Sequence, residues 1–406
     1  MNDAVAAVAA RPAIGAERPP KLLFLVTEDW YFWSHRLPVA RAARDAGFEV
    51  AVATRVRVHG ERIRAEGFRL HRLGWRRRGD GVFGSLRAVL EIAKLYRKER
   101  PDIVHHVALK PVLFGAVAAR LAFPTGAGAP ARLSAVMGLG GGLTPSGALA
   151  RIERFVLGWA LRLATVGGRV IVQNPDDGAA LAGFGIDRMR VALIRGSGVD
   201  TAHFGPLPDP SGEFGPSGGT VTVAFVGRML RSKGVLDAVA AIRALRARGE
   251  NVELLLAGSP DDNRDSLSEA ELAALAAEPG IEWLGQVKDV REVWRRAAIA
   301  VLPTSYGEGV PLALLEAAAC ERAIVATDTP GCRDVVRNGE TGLLVPRNDA
   351  AALMEAIAML AADPARRQRM GRAGRALVER EFAAPLIAEQ TLALYREMMR
   401  ERAERR

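Results

Sequence analysis

The sequence predicts two doubly wound α/β domains facing each other across a cleft. Three observations lead there. The chain has 406 residues, about twice an ordinary domain and enough for two separate cores. Short apolar runs alternate with stretches of helical spacing along nearly all of it, the pattern of parallel strands covered on both faces by crossover helices. The alternation breaks once, at PLPDPSGEFGPSGGT (residues 206–220), where Pro, Gly and Ser replace any periodicity, and then restarts.

An Ala/Pro-rich tail over residues 1–20 opens the chain and lacks the basic start of a signal peptide. The run Lys21-LLFLV reads as a buried strand, followed by an aromatic-polar loop from Thr27 to Ser34 and a helix that stops at Gly47. Further strands are expected at Val50–Thr54, Phe68–Leu73, Asp102–His105, Arg132–Val136, Arg169–Gln173 and Val191–Ile194, with helices over 84–100, 111–121, 149–165 and 175–182. After a linker at 206–219 come strands VTVAFVG, VELLLAG, IEWLG, IAVLP and AIVAT, each followed by a helical stretch. The domains are therefore 21–205 and 220–383, with a final helix in 384–406. Ligands of such sheets bind at the carboxyl ends of the strands, so the facing edges form the cleft.

Charge is distributed unevenly. The chain carries 56 Lys+Arg against 46 Asp+Glu. Residues 1–206 hold 30 basic and 17 acidic side chains, and the remainder 26 and 29. Nucleic acid, an anionic membrane surface or an anionic small substrate would each suit a basic first half. No recognisable nucleic-acid module is present, which disfavours the first. Two cysteines, Cys320 and Cys332, stand in no C-x-x-C or His-rich setting. They argue against a disulfide framework or structural zinc and point to a reducing compartment. No apolar run reaches the ~20 residues that span a bilayer.

Two elements of the second half carry chemistry. A strand ends in Gly227-Arg228, and Lys233-Gly234 opens the next helix. Two cations five residues apart beside a helix N-terminus make an anion site, because free backbone N–H groups add to the side-chain charge; a solvated basic turn is the plain alternative. After a later strand comes SYGEGVPLALLEAAAC, with Glu308 in a loop, Pro311 in the first helical turn and Glu316 more than a turn inside. Two carboxylates flanking a helix start suit a sugar hydroxyl and a ribose diol with phosphate between them, or form a capped helix with solvated glutamates.

In combination, Gly227-Arg228…Lys233-Gly234, Glu308-x7-Glu316 and the following IVATDTPGCRDVVRNGETGLLVP resemble the retaining, nucleotide-sugar-dependent glycosyltransferases of family 4. Those have the GT-B fold, two Rossmann-like domains with the C-terminal helix crossing back to the first. WSHRLP (Trp33–Pro38), DIVHHVALKP (Asp102–Pro111), MGLGGG (Met137–Gly142) and GSGVD (Gly196–Asp200) are similar to bacterial enzymes that extend lipid-linked glycans for capsule, exopolysaccharide or O-antigen.

The resemblance implies that Arg228 and Lys233 bind the donor diphosphate, that Glu316 takes the ribose hydroxyls and that Glu308 takes those of the transferred sugar. Gly227, Val287 and the Gly309, Val310, Pro311 and Leu312 backbone would complete the donor site. His105 or His106 would stand near the reaction centre, with His106 favoured by strand alternation. The sequence departs from many relatives in its first β–α loop, which has Glu28-Asp-Trp-Tyr-Phe-Trp33 in place of a Gly-Gly pair. These aromatics either shape an acceptor pocket, with Asp29, Trp30, His35 and Lys110 on the acceptor side, or plug the domain core.

There is no D-x-D, so fixed cations rather than a metal would stabilise the leaving diphosphate, and no cofactor is expected. Trp75-Arg-Arg-Arg78 and the helix Leu86–Lys98 are candidates for docking on an anionic leaflet, the second reading equally as an ordinary surface helix. The function expected is transfer of a hexose or N-acetylhexosamine from a UDP-type donor to a lipid-linked or polysaccharide acceptor at the cytoplasmic face of the inner membrane. A UDP-sugar epimerase on the same fold and a non-catalytic glycan-binding subunit are the competing readings.

Overall fold

A computed structural model describes residues 18–75, 81–139, 148–210 and 219–404. The Arg76–Arg78 cluster, Gly140–Gly142 and most of the expected tail and linker lie outside the described residues.

The first domain runs β1 (Lys21–Glu28), α1 (Asp29–His35), α2 (Leu37–Asp45), β2 (Glu49–Arg55), α3 (Gly60–Ala65), β3 (Arg69–Arg72), α4 (Gly81–Glu99), β4 (Ile103–Val107) and α5 (Leu109–Ala122). It continues with β5 (Ala131–Ala135), α6 (Ala148–Thr165), β6 (Arg169–Val172), α7 (Pro175–Gly183) and β7 (Val191–Leu193). Its seven strands pair in parallel in the order β3-β2-β1-β4-β5-β6-β7.

The second domain comprises β8 (Val221–Val226), α8 (Val235–Ala247), β9 (Val252–Ala257), α9 (Glu269–Ala276), β10 (Ile281–Gly285), α10 (Arg291–Arg296) and β11 (Ile299–Leu302). Then come α11 (Leu312–Ala319), β12 (Ala323–Thr327), α12 (Cys332–Val335), β13 (Gly342–Val345), α13 (Ala350–Ala362) and α14 (Pro364–Glu381), and the chain closes with α15 (Ala384–Glu404). Its six parallel strands are ordered β10-β9-β8-β11-β12-β13. Both sheets therefore reverse winding direction beside their first strand, between β1 and β4 and between β8 and β11. A crevice opens at the carboxyl ends of such strand pairs.

Alternation along β1 assigns the two faces of the first sheet. Leu22, Phe24 and Val26 pack on one side with α2 and α15, while Leu23 and Leu25 pack on the other with Val89, Ile92 and Tyr96 of α4 and Ala118 of α5. Right-handed crossovers require this division, because α4, α5 and α6 all connect strands in one direction across the sheet. The second domain has a single apolar core around Phe225, Leu254, Leu315, Val325 and Ile357.

The last helix leaves the second domain and closes the first. Ala384 donates its N–H to the Val199 carbonyl at 2.9 Å, and Ile387, Leu392, Tyr395 and Met398 join the first-domain core. Arg402 pairs with Asp102, and Arg169 with Glu397 and Glu401. Buried Arg322 donates to the carbonyls of Leu207, Pro208 and Ala297, and Arg367 pairs with Asp209 at 3.1 Å, so the chain leaving the first domain is tied down on the second.

One local expectation is corrected. Thr27–Ser34 is not a loop: β1 extends to Glu28 and helix α1 follows at once. The buried Asp29 carboxylate makes this possible, accepting the backbone N–H groups of Arg57, Val58 and His59 at 2.8–2.9 Å and fixing the turn after β2 against α1.

The anchoring of α15 is testable at one atom. The Tyr395 hydroxyl meets His105 Nδ1 at 2.6 Å, and His105 Nε2 is buried without a partner. Tyr395→Phe leaves both ring nitrogens unsatisfied, so it should cost about 1–3 kcal/mol in denaturant unfolding while leaving nucleotide affinity unchanged.

Candidate active site

On the second-domain side the site begins where β8 ends. Arg228 pairs with Asp261 at 2.8 Å. Burial opposes its charge, but the Asp261 hydrogen bond and the nearby Tyr306 and Glu308 raise its proton affinity above the ordinary arginine value. The turn over residues 228–233 is shaped by the segment after β9: Met229 N–H reaches Ser259 O, Arg231 N–H reaches Asp265 O, and the Asp265 carboxylate takes the Ser232 N–H at 3.0 Å. Gly234 then enters α8 with φ 79°, and a Cβ there would lie 2.1 Å from the Pro303 carbonyl oxygen. Only glycine suits both the left-handed backbone and that contact.

The same contact joins the two charged motifs. The Ser232 carbonyl accepts Ser305 N–H at 2.8 Å, Ser305 Oγ at 3.1 Å and Thr304 Oγ1 at 3.3 Å. Lys233 and Glu308, 75 residues apart in sequence, therefore meet at 2.6 Å with both side chains mostly buried. Tyr306 stands beside them, its ring 5.9 Å from Lys233 Nζ.

One turn into α11, Glu316 forms no hydrogen bond or ion pair among the described residues. Loss of hydration in its deep surroundings pushes this carboxyl up to about 8. The side chain is partly buried and keeps its hydrogen-bonding capacity unused among the described residues.

The first domain closes the other side through Gln173 and Asn174, at the end of β6. Gln173 Oε1 accepts the Val310 N–H at 3.1 Å. Asn174 Nδ2 donates to the carbonyls of Glu308 and Gly309 at 3.2 and 3.3 Å, while its Oδ1 caps α7 by accepting Asp177 N–H at 2.7 Å. Asp177 in turn accepts the N–H groups of Gly138 and Leu139 at 3.0 and 3.1 Å, so the Met137–Leu139 segment is held against the Gly307–Gly309 turn.

His35 also borders this space. Its ring stacks on Tyr31 at 4.1 Å and its Nδ1 meets Ser34 Oγ at 2.6 Å. Burial and the positive charges of Arg36, Lys233 and Arg228 push its pKa down to about 3, with a backbone contact to Tyr31 opposing them, so the imidazole is neutral at physiological pH. That dependence puts His35 within the field of both Arg228 and Lys233. Arg36 is 4% exposed and donates to Met137 Sδ at 2.8 Å, with no carboxylate partner among the described residues.

The model of the family described as "Glycosyl transferases group 1" matches residues 220–363, and that described as "Glycosyl transferase 4-like" matches residues 21–131. The chain is 38% identical over 230 residues to the alpha-maltose-1-phosphate synthase of Mycolicibacterium smegmatis, a match spanning 52% of this chain and 58% of that protein's length. It is 26% identical over 367 residues to the N,N'-diacetylbacillosaminyl-diphospho-undecaprenol alpha-1,3-N-acetylgalactosaminyltransferase of Campylobacter jejuni, covering 89% of this chain and 94% of that one. Among solved structures it superposes on Anabaena HepE in complex with UDP and glucose with a TM-score of 0.74 at 17% identity, over 93% of this chain and 100% of that chain. The chain belongs to the GT-B glycosyltransferases.

Within this glycosyltransferase Arg228, Lys233 and Glu308 come together, and the other expected second-domain residues lie after the carboxyl ends of the same sheet's strands. Gly227, Arg228 and Lys233 lie at the end of β8; Glu308, Gly309 and Val310 form the turn after β11; Pro311 caps α11, which starts at Leu312 and carries Glu316. Val287 follows β10, partly buried against the domain core. The first-domain expectations fare differently. His106 does not face the cleft: it is fully buried between β4 and the helices above it, with Nε2 2.9 Å from the Tyr96 hydroxyl and the ring against Gly115. His105 points to the opposite face, between Phe24 and Tyr395.

Asp29 is committed to its three backbone N–H groups and is also inaccessible. Trp30 is partly exposed and packs edge-on against Tyr31 at 5.6 Å, and Lys110 lies over the rings of Trp75 and Phe114. The alternation argument for His106 failed because both faces of a doubly covered strand are core, so alternation separates two interiors rather than core from cleft. Gln173, Asn174 and Asp177 were missed; the Asn-Pro-x-Asp helix start was visible, but nothing local says that the cap also grips another domain.

Two outcomes follow from this geometry. Asn174→Asp keeps the helix cap but replaces the amide donor with a carboxylate facing two carbonyls and the buried Asp177 carboxylate 3.1 Å away; it should lower the thermal midpoint at neutral pH, recover part of it at pH 5, and weaken nucleotide binding roughly tenfold, by calorimetry. Glu316 retains its proton in the folded chain up to about pH 8 but loses it near 4.5 when unfolded, so it makes stability fall as pH rises through that window. Glu316→Gln removes the effect: its thermal midpoint should match the parent at pH 5 and exceed it at pH 9.

Proposed function

We propose that this glycosyltransferase moves a hexose or N-acetylhexosamine from a UDP-sugar to a lipid-linked or polysaccharide acceptor, with retention of anomeric configuration. The observation that carries the reading is the gathering of Arg228, Lys233 and Glu308 at the β8/β11 edge, with Glu316 one turn into the helix that follows and His35 within the field of the two cations. Fixed cations beside two carboxylates suit a ligand that is anionic in the middle and carries hydroxyls at both ends. The HepE structure with UDP and glucose supports the nucleotide, and the undecaprenyl-diphosphate named in the Campylobacter relative supports a lipid carrier on the acceptor.

In this reading Arg228 keeps Asp261 on one edge of its guanidinium and uses the remaining N–H donors for diphosphate oxygens. Lys233 turns from Glu308 to the same diphosphate and neutralises the charge that grows as the sugar–phosphate bond breaks. Glu308, released from Lys233, accepts hydroxyls of the transferred sugar. Glu316 loses its proton as the ribose diol supplies the hydrogen bonds that water cannot. Val287 lines the place of the base. Attack on the face that the diphosphate leaves lets a diphosphate oxygen take the acceptor proton, while neutral His35 accepts or donates a hydrogen bond at the acceptor side.

The proposed location is the cytoplasmic face of the inner membrane, with an anionic bilayer as the partner of the basic first domain. No helix among the described residues is long and apolar enough to cross a membrane.

Lys233→Ala should weaken UDP binding at least tenfold by calorimetry. UDP bound equally well by parent and variant would overturn the donor-site assignment. Retention is read directly from the anomeric proton coupling of the glycoside formed, and an inverted product would overturn that part of the proposal.

A further inference from the structure

Helices α4, α5 and α6, three of the four on one face of the first sheet, are built unlike ordinary surface helices. A helix covering a sheet buries one stripe and shows water a polar one. Here α4 buries Val89, Ile92 and Tyr96 yet turns Phe83, Leu86 and Leu90 outward, with Phe83 89% exposed. Helix α6 buries Leu161 and Ala164 and exposes Ile152, Phe155 (75%), Val156 and Trp159 (58%). Helix α5, packed between them, adds exposed Val117 and Leu121. Thirteen of the eighteen large apolar side chains that stand exposed among the described residues lie on α4–α6 or the residue that follows α6. A soluble surface rarely shows so much contiguous apolar area without a partner.

The charge around the patch selects that partner. The outer stripe of α4 continues from Phe83, Leu86 and Leu90 into Lys94 and Arg97, while Arg151 and Arg154 flank the stripe of α6. All four cations are exposed, and Glu153 is the exposed carboxylate among the described side chains of α4–α6. Aromatic and aliphatic side chains in the centre with a cationic rim match the interfacial layer of an anionic bilayer, where the rings enter the acyl boundary and the cations meet phosphate. The patch also starts at the right place. The amino ends of α4, α5 and α6 follow the carboxyl ends of β3, β4 and β5, the sheet edge that borders the cleft.

We propose that the outer face of α4, α5 and α6 is a bilayer-docking surface that inserts Phe83, Leu86, Phe155 and Trp159 into an anionic leaflet and brings the cleft edge to the lipid headgroups. This deepens the membrane-partner reading above and rests on it. It replaces a purely electrostatic contact with apolar insertion, and it recruits α6, for which the sequence suggested no such role.

The test is flotation of the full chain with vesicles of phosphatidylglycerol and phosphatidylethanolamine, at low and high salt, for the parent, Phe83→Glu/Trp159→Glu and Phe83→Leu/Trp159→Phe. UDP affinity and thermal midpoint are measured on the same samples. The parent should float at low salt and keep part of its binding at high salt. The glutamate variant should lose at least tenfold in vesicle partitioning with UDP affinity and midpoint unchanged, and the conservative variant should float. If the parent and the glutamate variant float equally, the docking face is wrong and the membrane partner stands. If the parent does not float, both fall, while UDP binding reports separately on the donor site. A parent that dimerises without vesicles and fails to float, beside a monomeric glutamate variant, would make the face a self-association surface and overturn the proposal.

Discussion

The Glu308–Val310 turn is held from two directions, and the rest of the site depends on that. From its own domain, Pro330 O receives Glu308 N–H at 3.0 Å and Lys233 takes the Glu308 carboxylate. From the other domain, Gln173 and Asn174 satisfy the Val310 N–H and the carbonyls of Glu308 and Gly309. A turn with few internal backbone bonds would otherwise leave these groups to water or unpaired. Gly309 permits the approach, since a Cβ there would stand 2.2 Å from Gln173 Oε1. Glu308 therefore cannot move without affecting the contact between the domains.

Electrostatics follows from this arrangement. Arg228 and Lys233 are each matched by a carboxylate, so the charges are held in place at modest net potential. Glu316 is the exception, an acid with no hydrogen-bond or ion-pair partner among the described residues, whose loss of hydration raises its proton affinity. On the proposed reading a ligand supplies the hydrogen bonds that this group lacks, a common exchange of stability for binding. On the facing wall, His35 is kept neutral by burial and by the same cations, and buried Arg36 adds a further positive charge.

The basic excess of the first half acquires a geometry in the fold. The two faces of the first sheet are treated differently: α15 returns to cover one with Ile387, Leu392 and Tyr395, whereas the helices on the other leave an apolar outer layer. The division arises from connection handedness, which gathers α4, α5 and α6 on a single face. On the proposed reading, in which a soluble nucleotide-sugar meets a lipid-borne acceptor, one covered face and one bilayer-docking face suit the chain.

Much of the fold was legible in the sequence because strand and helix periodicity are local properties. The strands from Leu22 to Thr327 sit where apolar runs place them, and the linker composition separates the two halves. The Arg228…Lys233 and Glu308…Glu316 elements were also legible, since strand-to-helix junctions of a doubly wound sheet lie on one edge by topology. What the tertiary structure alone decided was orientation and partnership: that His105 and His106 face two interiors, that Asp29 is consumed by backbone N–H groups, that Asn174 reaches across to Gly309, and that the apolar rows of α4 and α6 flank α5 on one face. Sequence periodicity records which side chains leave water. It does not record which of several surfaces receives them, because that choice depends on contacts between residues as far apart as Asn174 and Gly309, or His105 and Tyr395.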